Sequence, residues 1–255
     1  DNLNELKSLL FLCIHGAVPV LLVLVSGDMG SALIFIMIFI VMLFAAGLKM
    51  KYFAIGAGLV AAATPIAWNF VFSSIQKDRI LALIHPEEYP DILYQQEQGL
   101  RAIKNGGIFG KGLFRGEITA AGIVPESEND MIYSVIGEEF GLVGCLLTLV
   151  VFTLLVIRIV RIGRGCHDAT VSLICAGSAA MIGSQVIVNI GMCLELLPVI
   201  GITLPFFSAG GTSTVCLYVG VGLVFSIYRF NRTRETVNFR LSRIASPFSE
   251  YLKVQ

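Results

Sequence analysis

The chemistry-bearing residues of the chain gather before one apolar stretch. Val124-Pro125-Glu126-Ser127-Glu128-Asn129-Asp130 sets three carboxylates within five positions, and Met131-Ile132-Tyr133 leads directly into hydrophobic sequence. Carboxylates at such an edge could take a proton as a general base, share a divalent cation, or satisfy a helix start as a cap and a first-turn acid. Glu138 and Glu139 follow about 12 Å further along a helix of ~1.5 Å rise per residue. Ionisable groups inside spans seldom meet lipid, so both are expected to face the interior, in structural pairing. Upstream lie Arg79, Arg101, Lys104 and Lys111, cations of the kind that neutralise charge developing on a phosphate. Asp28 sits in a Gly27-Asp28-Met29-Gly30 turn, where pairing with a loop arginine is the simplest role. Ser208, Gly210 and Gly211 form a backbone-exposing turn at a helix start, either an anion site or a structural re-entrant turn.

Other chemistries lack their signatures. There is no phosphate loop of the G-x-x-x-x-G-K-[ST] type, no strand-led G-x-G-x-x-G, no H-E-x-x-H, no G-x-S-x-G and no D-x-D pair. His15, His85 and His167 show no metal-ligand spacing and read as structural. The six cysteines, at 13, 145, 166, 175, 193 and 216, are scattered through apolar runs and read as small buried hydrophobes.

The elements that must position these residues are membrane spans. Of 255 residues 56% are hydrophobic and 14% charged, with a mean hydropathy of +0.82, far from the roughly 25% charge of soluble domains. Eighteen basic residues balance eighteen acidic ones, which excludes a nucleic-acid partner held by bulk charge. Apolar runs predict an all-α polytopic bundle with six spans, near residues 9–26, 31–48, 53–72, 132–157, 169–194 and 211–228. The first is the weakest, since His15 and Pro19 interrupt it. Lys49 and Lys51, Arg158, Arg161 and Arg164, and Arg229, Arg232 and Arg234 fall on one side of such a bundle, which should be cytoplasmic. The opposite, external side then receives a long, partly ordered loop, residues 73–131, rich in charge and in glycine turns. The membrane domain is read as 1–235 and a cytoplasmic tail as 236–255. No cleaved leader is recognisable, and the absent initiator Met points to part of a longer protein.

At this point the motifs resemble a known family. Pro125-Glu126-Ser127-Glu128-Asn129-Asp130-Met131-Ile132-Tyr133, Gly106-Gly107-Ile108-Phe109-Gly110-Lys111-Gly112, Ser26-Gly27-Asp28-Met29-Gly30-Ser31-Ala32, Asn189-Ile190-Gly191-Met192 and Gly201-Ile202-Thr203-Leu204-Pro205-Phe206-Phe207-Ser208-Ala209-Gly210-Gly211 follow in order. The chain is similar over about residues 10–235 to the SEDS family (RodA, FtsW, SpoVE), multi-span glycosyltransferases that polymerise peptidoglycan. Asn129 stands where the family has Thr, Ser26-Gly27 where it has Gln-Pro, Ala209 where a Tyr is usual, and Glu195 at a commonly small or apolar place. Members have about ten spans of roughly 20 residues each, so the six visible here correspond to the last six.

The resemblance implies a cell-membrane enzyme that uses lipid II at the outer face, with a class B penicillin-binding transpeptidase and membrane lipid as further partners. It implies Asp130 as the catalytic carboxylate, accepting the proton of an attacking sugar hydroxyl. Arg79 and Lys111 match basic positions and would hold pyrophosphate; Gln98 would bind sugar or brace the loop. Glu126 would orient Asp130, share a metal with it, or serve helix entry. Asp28, Ser208, Gly210 and Gly211 would be supporting. No metal site is specified and the cofactor is unknown, a divalent cation (Mg2+ or Mn2+) staying open. Two other functions compete: a flippase, which should carry ionisable groups along a midplane path, and a scaffold that only activates the transpeptidase.

Overall fold

The computed structural model describes the backbone of residues 3–70 and 72–251, and side chains up to residue 231 other than Leu6. Among the described residues every regular element is helical: α1 (Leu6–Val25), α2 (Met29–Ala45), α3 (Met50–Phe70), α4 (Ser74–Ile84), a 3-10 turn (Pro86–Glu88), α5 (Pro90–Gly106), α6 (Glu117–Ala120), α7 (Ile132–Arg164), α8 (Ala169–Cys193) and α9 (Gly211–Tyr251). Five of them, α1, α3, α7, α8 and the Gly211–Asn231 part of α9, are long and apolar enough to cross a membrane. The sixth expected span, α2, is apolar but only 17 residues long. The expected tail continues α9 as far as Tyr251, and residues 252–255 lie outside the described residues.

Local chemistry explains the helix bounds. Asp28 caps α2, its carboxylate accepting from Ser31 N at 2.8 Å and Ser31 Oγ at 2.6 Å, the preferred role of an Asp at this position. The cap, rather than an arginine, takes its oxygens, which corrects the expected pairing. Ser73 and Gln76 form a reciprocal capping box at the start of α4. Pro90 opens α5, where its missing N–H costs nothing. His15 and Pro19 do not interrupt α1: His15 Nδ1 bonds back to Phe11 O at 3.0 Å, and the helix runs through Pro19.

The core forms where α5, α7 and α8 meet, with α2 on the far side of α8. Met131, Ile182, Met192 and Leu204 are fully buried there. Without a hydrophobic drive between spans, close packing through small residues holds helices together, and α8 buries Ser178, Ala179, Ala180 and Ser184. Residues 73–131 are more ordered than a loop: α5 packs against α7 and α8 and buries Leu93, Gln96, Gly99, Ala102 and Gly106. At Gly106 a side chain would run into the backbone of Gly137 and Glu138, so only glycine allows this approach.

A break in α7 fixes the rest of the segment. Gly141 has φ 66° and ψ −162°, outside helical geometry. Leu142 and Val143 therefore donate not to Glu138 and Glu139 but to Gly107 O (2.9 Å) and Ile108 O (3.1 Å). The vacated carbonyls of Glu138 and Glu139 accept from Lys111 N (3.0 Å) and Gly112 N (2.9 Å). The loop thus satisfies four backbone groups that the break would leave unpaired, a requirement for irregular backbone at membrane depth.

Glu138 and Glu139 face inward, 0% and 8% exposed. Their structural partners are backbone N–H, amide and hydroxyl donors: Glu138 receives Asn105 Nδ2, Ile118 N, Thr119 N and Thr119 Oγ1, and Glu139 receives Phe114 N.

Candidate active site

The carboxylate run is folded as a tight turn. Glu126 adopts φ 52°, and its carbonyl accepts from Asn129 N (3.0 Å) and Met131 N (3.1 Å). Its carboxylate accepts from Asn129 Nδ2 at 2.8 Å. The carbonyls of residues 128–130 are all held by the α8–α9 region. Glu128 O accepts from Ala209 N at 3.0 Å, Asn129 O from Ser208 Oγ at 2.6 Å, and Asp130 O from Asn189 Nδ2 at 2.7 Å. Asn189, wholly buried, spends its second amide proton on Ile202 O at 2.7 Å. The main chain at Asp130 is therefore fixed from three directions.

Its side chain is left free for other work. The position before α7 is held by Met131 without any side-chain cap, so Asp130 is not the helix cap that spacing alone allowed. The carboxylate is half-buried beside Gly201, where an added Cβ would lie 3.5 Å from Asp130 Oδ2. Burial pushes the Asp130 carboxyl above its usual value, the Glu126 charge pushes it further, and the Arg79 guanidinium opposes both. Such a carboxylate is poised to exchange a proton nearer neutral pH than an exposed one.

Arg79 extends from α4 and donates through Nη1 to Val199 O at 3.0 Å. It lines a cavity of about 310 Å³ with Asp28, Ser73, Gln76, Pro198 and Ile200. A second cavity, of about 460 Å³, is lined by Gly201, Thr203 and Gly210 together with Ile34, Phe35 and Gln185. Gln185 Oε1 is buried there with no hydrogen-bond partner.

The expected site residues separate into groups. Glu126 and Arg79 both act electrostatically on Asp130, and Asp28 lines the same cavity as Arg79. Lys111 stands apart: its amide binds Glu138 O, about 9 Å of helix rise beyond Ile132, and its side chain is exposed. Gln98 keeps a buried Oε1 without a partner. Ser208 Oγ is occupied by Leu204 N (2.8 Å) and Asn129 O, which ties the Ser208–Gly211 stretch to the carboxylate turn. Among the described residues no three His, Cys, Asp or Glu side chains are grouped to hold a metal ion.

Two supporting residues escaped sequence reasoning. Asn189 is one, and Gln96 the other: it is 2% exposed and donates to both Met192 O and Leu197 O at 2.8 Å. The signal for Asn189 was an amide in an apolar span, one of two there with Gln185; Gln96 was hidden in a run of polar residues.

Comparison with known proteins places this architecture. The family model for cell cycle proteins of the FtsW/RodA/SpoVE type matches residues 2–233. The peptidoglycan glycosyltransferase MrdB of Escherichia coli K12 is 35% identical over 211 residues, covering 82% of this chain and 57% of that protein. The stage V sporulation protein E of Bacillus subtilis is 34% identical over 214 residues, 83% of this chain and 57% of its own length. The chain thus spans little more than half of these relatives. A solved structure, described as showing how a peptidoglycan synthase complex coordinates polymerization and crosslinking, superposes with a TM-score of 0.73 at 29% identity. It covers 91% of this chain and 64% of the solved one. With its apolar helices and this match over nearly its whole length, the chain is a multi-pass membrane protein that belongs to the FtsW/RodA/SpoVE family.

Proposed function

We propose that the protein polymerises lipid II into glycan strands at the outer face of the cell membrane, and that Asp130 is the general base. The observation that carries this reading is a half-buried carboxylate whose main chain is pinned by Ala209, Ser208 and Asn189 while its oxygens accept no hydrogen bond among the described residues. The 4-hydroxyl of one lipid-linked sugar attacks the anomeric carbon of the growing strand; Asp130 accepts the hydroxyl proton as the new bond forms. The carbon–oxygen bond to the lipid pyrophosphate breaks, with inversion from α to β, and the departing oxygens collect negative charge. Arg79, at the mouth of the 310 Å³ cavity, offsets that charge. Glu126 keeps the Asp130 proton affinity high, and Gln98 offers a buried acceptor for a sugar hydroxyl. Asp130 and Glu126 are also the pair of carboxylates with which Mg2+ or Mn2+ would be held beside substrate phosphates.

The names of the relatives support this reaction. The synthase complex among the similar structures supports a class B penicillin-binding transpeptidase as partner. The basic clusters Lys49–Lys51 and Arg158–Arg164 support a cytoplasmic side opposite the site, with residues 1–235 as membrane domain and the remainder as cytoplasmic tail. A flippase path is not favoured, because Glu138 and Glu139, the acids of α7, are both engaged in local hydrogen bonds near its outer end.

The deciding experiment compares wild type with Asp130→Asn in a full-length, partner-bound preparation given labelled lipid II. Removing a positioned base typically costs about 10²–10⁴-fold in rate, so glycan strands should vanish from the gel while partner binding persists. Polymerisation at near wild-type rate would sink the assignment.

A further inference from the structure

The loop that closes the α7 break sits where that helix enters the hydrocarbon. The lipid-exposed face of α7 starts at Phe140, 45% exposed, and continues through Leu142, Val143, Leu146 and Leu147 towards Ile157. Residues 140–157 span about 27 Å at ~1.5 Å per residue, close to the roughly 30 Å of a bilayer core. Phe140 therefore marks the hydrocarbon edge. Residues 107–112 are bonded to Glu138 and Glu139 on one side of that mark and to Leu142 and Val143 on the other. The loop cannot lie in water away from this level.

Its side chains match the location. Ile108, Phe109, Leu113 and Phe114 are 61%, 82%, 56% and 83% exposed. Phe114 is held outward at φ 58° by its N–H bond to Glu139 Oε1 at 3.0 Å. A cluster of exposed large apolar residues marks an interaction surface. Lys111 and Arg115, both exposed, are set among and beside them. Basic side chains in this position run their stems along apolar surface and place their charge among head groups.

We propose that residues 107–115 form a re-entrant wedge seated in the bilayer at the hydrocarbon edge, with Lys111 and Arg115 binding the phosphates of acidic phospholipids around it. The proposal rests on membrane insertion alone and stands apart from whether the chain polymerises lipid II.

Trp68 is the single tryptophan of the chain, so a Trp68→Phe background carrying Phe109→Trp reports on the wedge. The protein is placed in nanodiscs containing phosphatidylcholine brominated near the glycerol end of its chains. The indole should lose most of its emission to the bromines and little to aqueous iodide. Phe114→Trp, made separately, carries the same expectation, so one poorly folded variant does not decide the matter. Quenching by iodide but not by bromolipid, or shielding from both by protein, overturns the wedge. For the head groups, brominated phosphatidylglycerol as a minor component should quench about twofold or more over the choline lipid at equal fraction. Lys111→Gln with Arg115→Gln should abolish that excess. Equal quenching by the two lipids before substitution overturns the phosphate contact.

Discussion

Replacing Glu138 by Gln changes almost no volume and should still unfasten the α6 region from α7. The carboxylate is wholly buried and accepts four bonds, Asn105 Nδ2 (2.8 Å) and Ile118 N (2.9 Å) on Oε1, Thr119 N (2.8 Å) and Thr119 Oγ1 (2.6 Å) on Oε2. Gln keeps one acceptor oxygen and turns the other into a donor. The Thr119 hydroxyl can rotate to accept, but in either amide orientation one backbone N–H, of Ile118 or of Thr119, faces a donor. That forfeits one bond to a charged acceptor and strands a buried amide, together about 2–4 kcal/mol. For a chain of this size the melting temperature should fall by roughly 5–10 °C. Thermal unfolding in nanodiscs reads the total, and hydrogen exchange at Ile118 and Thr119 reads the place, where protection should drop first. An unchanged Tm with unchanged exchange at these two amides would refute the anchoring role.

Asn189→Leu removes the donors to Asp130 O and Ile202 O, so it should cost about 2–4 kcal/mol in unfolding and lower polymerisation at conditions where the fold is intact; full activity would mean that the Asp130 main chain needs no such tether. Arg79→Gln should raise the Asp130 proton affinity further and move the acid limb of the rate–pH profile to higher pH, whereas Glu126→Gln should move it lower; shifts of the same sign would contradict the arrangement. Because the folded protein raises the Asp130 pKa, the stability linked to its protonated form is full below the ordinary carboxylate value and lost as pH rises through the raised one. Asp130→Asn should therefore be more stable than wild type at neutral pH and equal to it in acid, which denaturation at the two pH values checks. Gly106→Ala should drive its methyl into the Gly137 backbone and detach α5, visible as lost crosslinking between cysteines placed at Ile103 and Ile136.

The spans were legible because apolar length is a strong signal, and the site loop because acids before an apolar run are rare in a chain so poor in charge. Asp130 stood out this way and Arg79 through the family resemblance, and the Arg79 charge acts on the Asp130 carboxyl. Lys111 was grouped with them by motif order, yet backbone pairing across the Gly141 break carries it to the level of Glu138. A single glycine in a glycine-containing span gives no hint of a break, since the backbone groups that repair it come from residues 107–112, far upstream in the chain. The partners of Glu138 were equally hidden: backbone amides carry no sequence signature, and only the folded α6 turn brings Ile118 and Thr119 to it. Asp28 shows the converse, for an acid three residues before a serine is a local cap whatever lies across the cavity.

The pinning of residues 128–130 also sets an order in time. Asp130 leaves the ribosome long before the groups that hold it: Asn189 follows 59 residues later, and Ser208 is made 79 residues after Asn129. At a synthesis rate of roughly 5–20 residues per second, the carboxylate waits several seconds in a nascent chain whose seat does not yet exist. A ribosome stalled between α7 and the turn before α9 leaves a membrane-inserted product carrying every acid and base of the site but no fixed Asp130. If the site works as proposed, truncated chains of that kind would be catalytically silent, and completion of the last helical pair would be the step that switches it on.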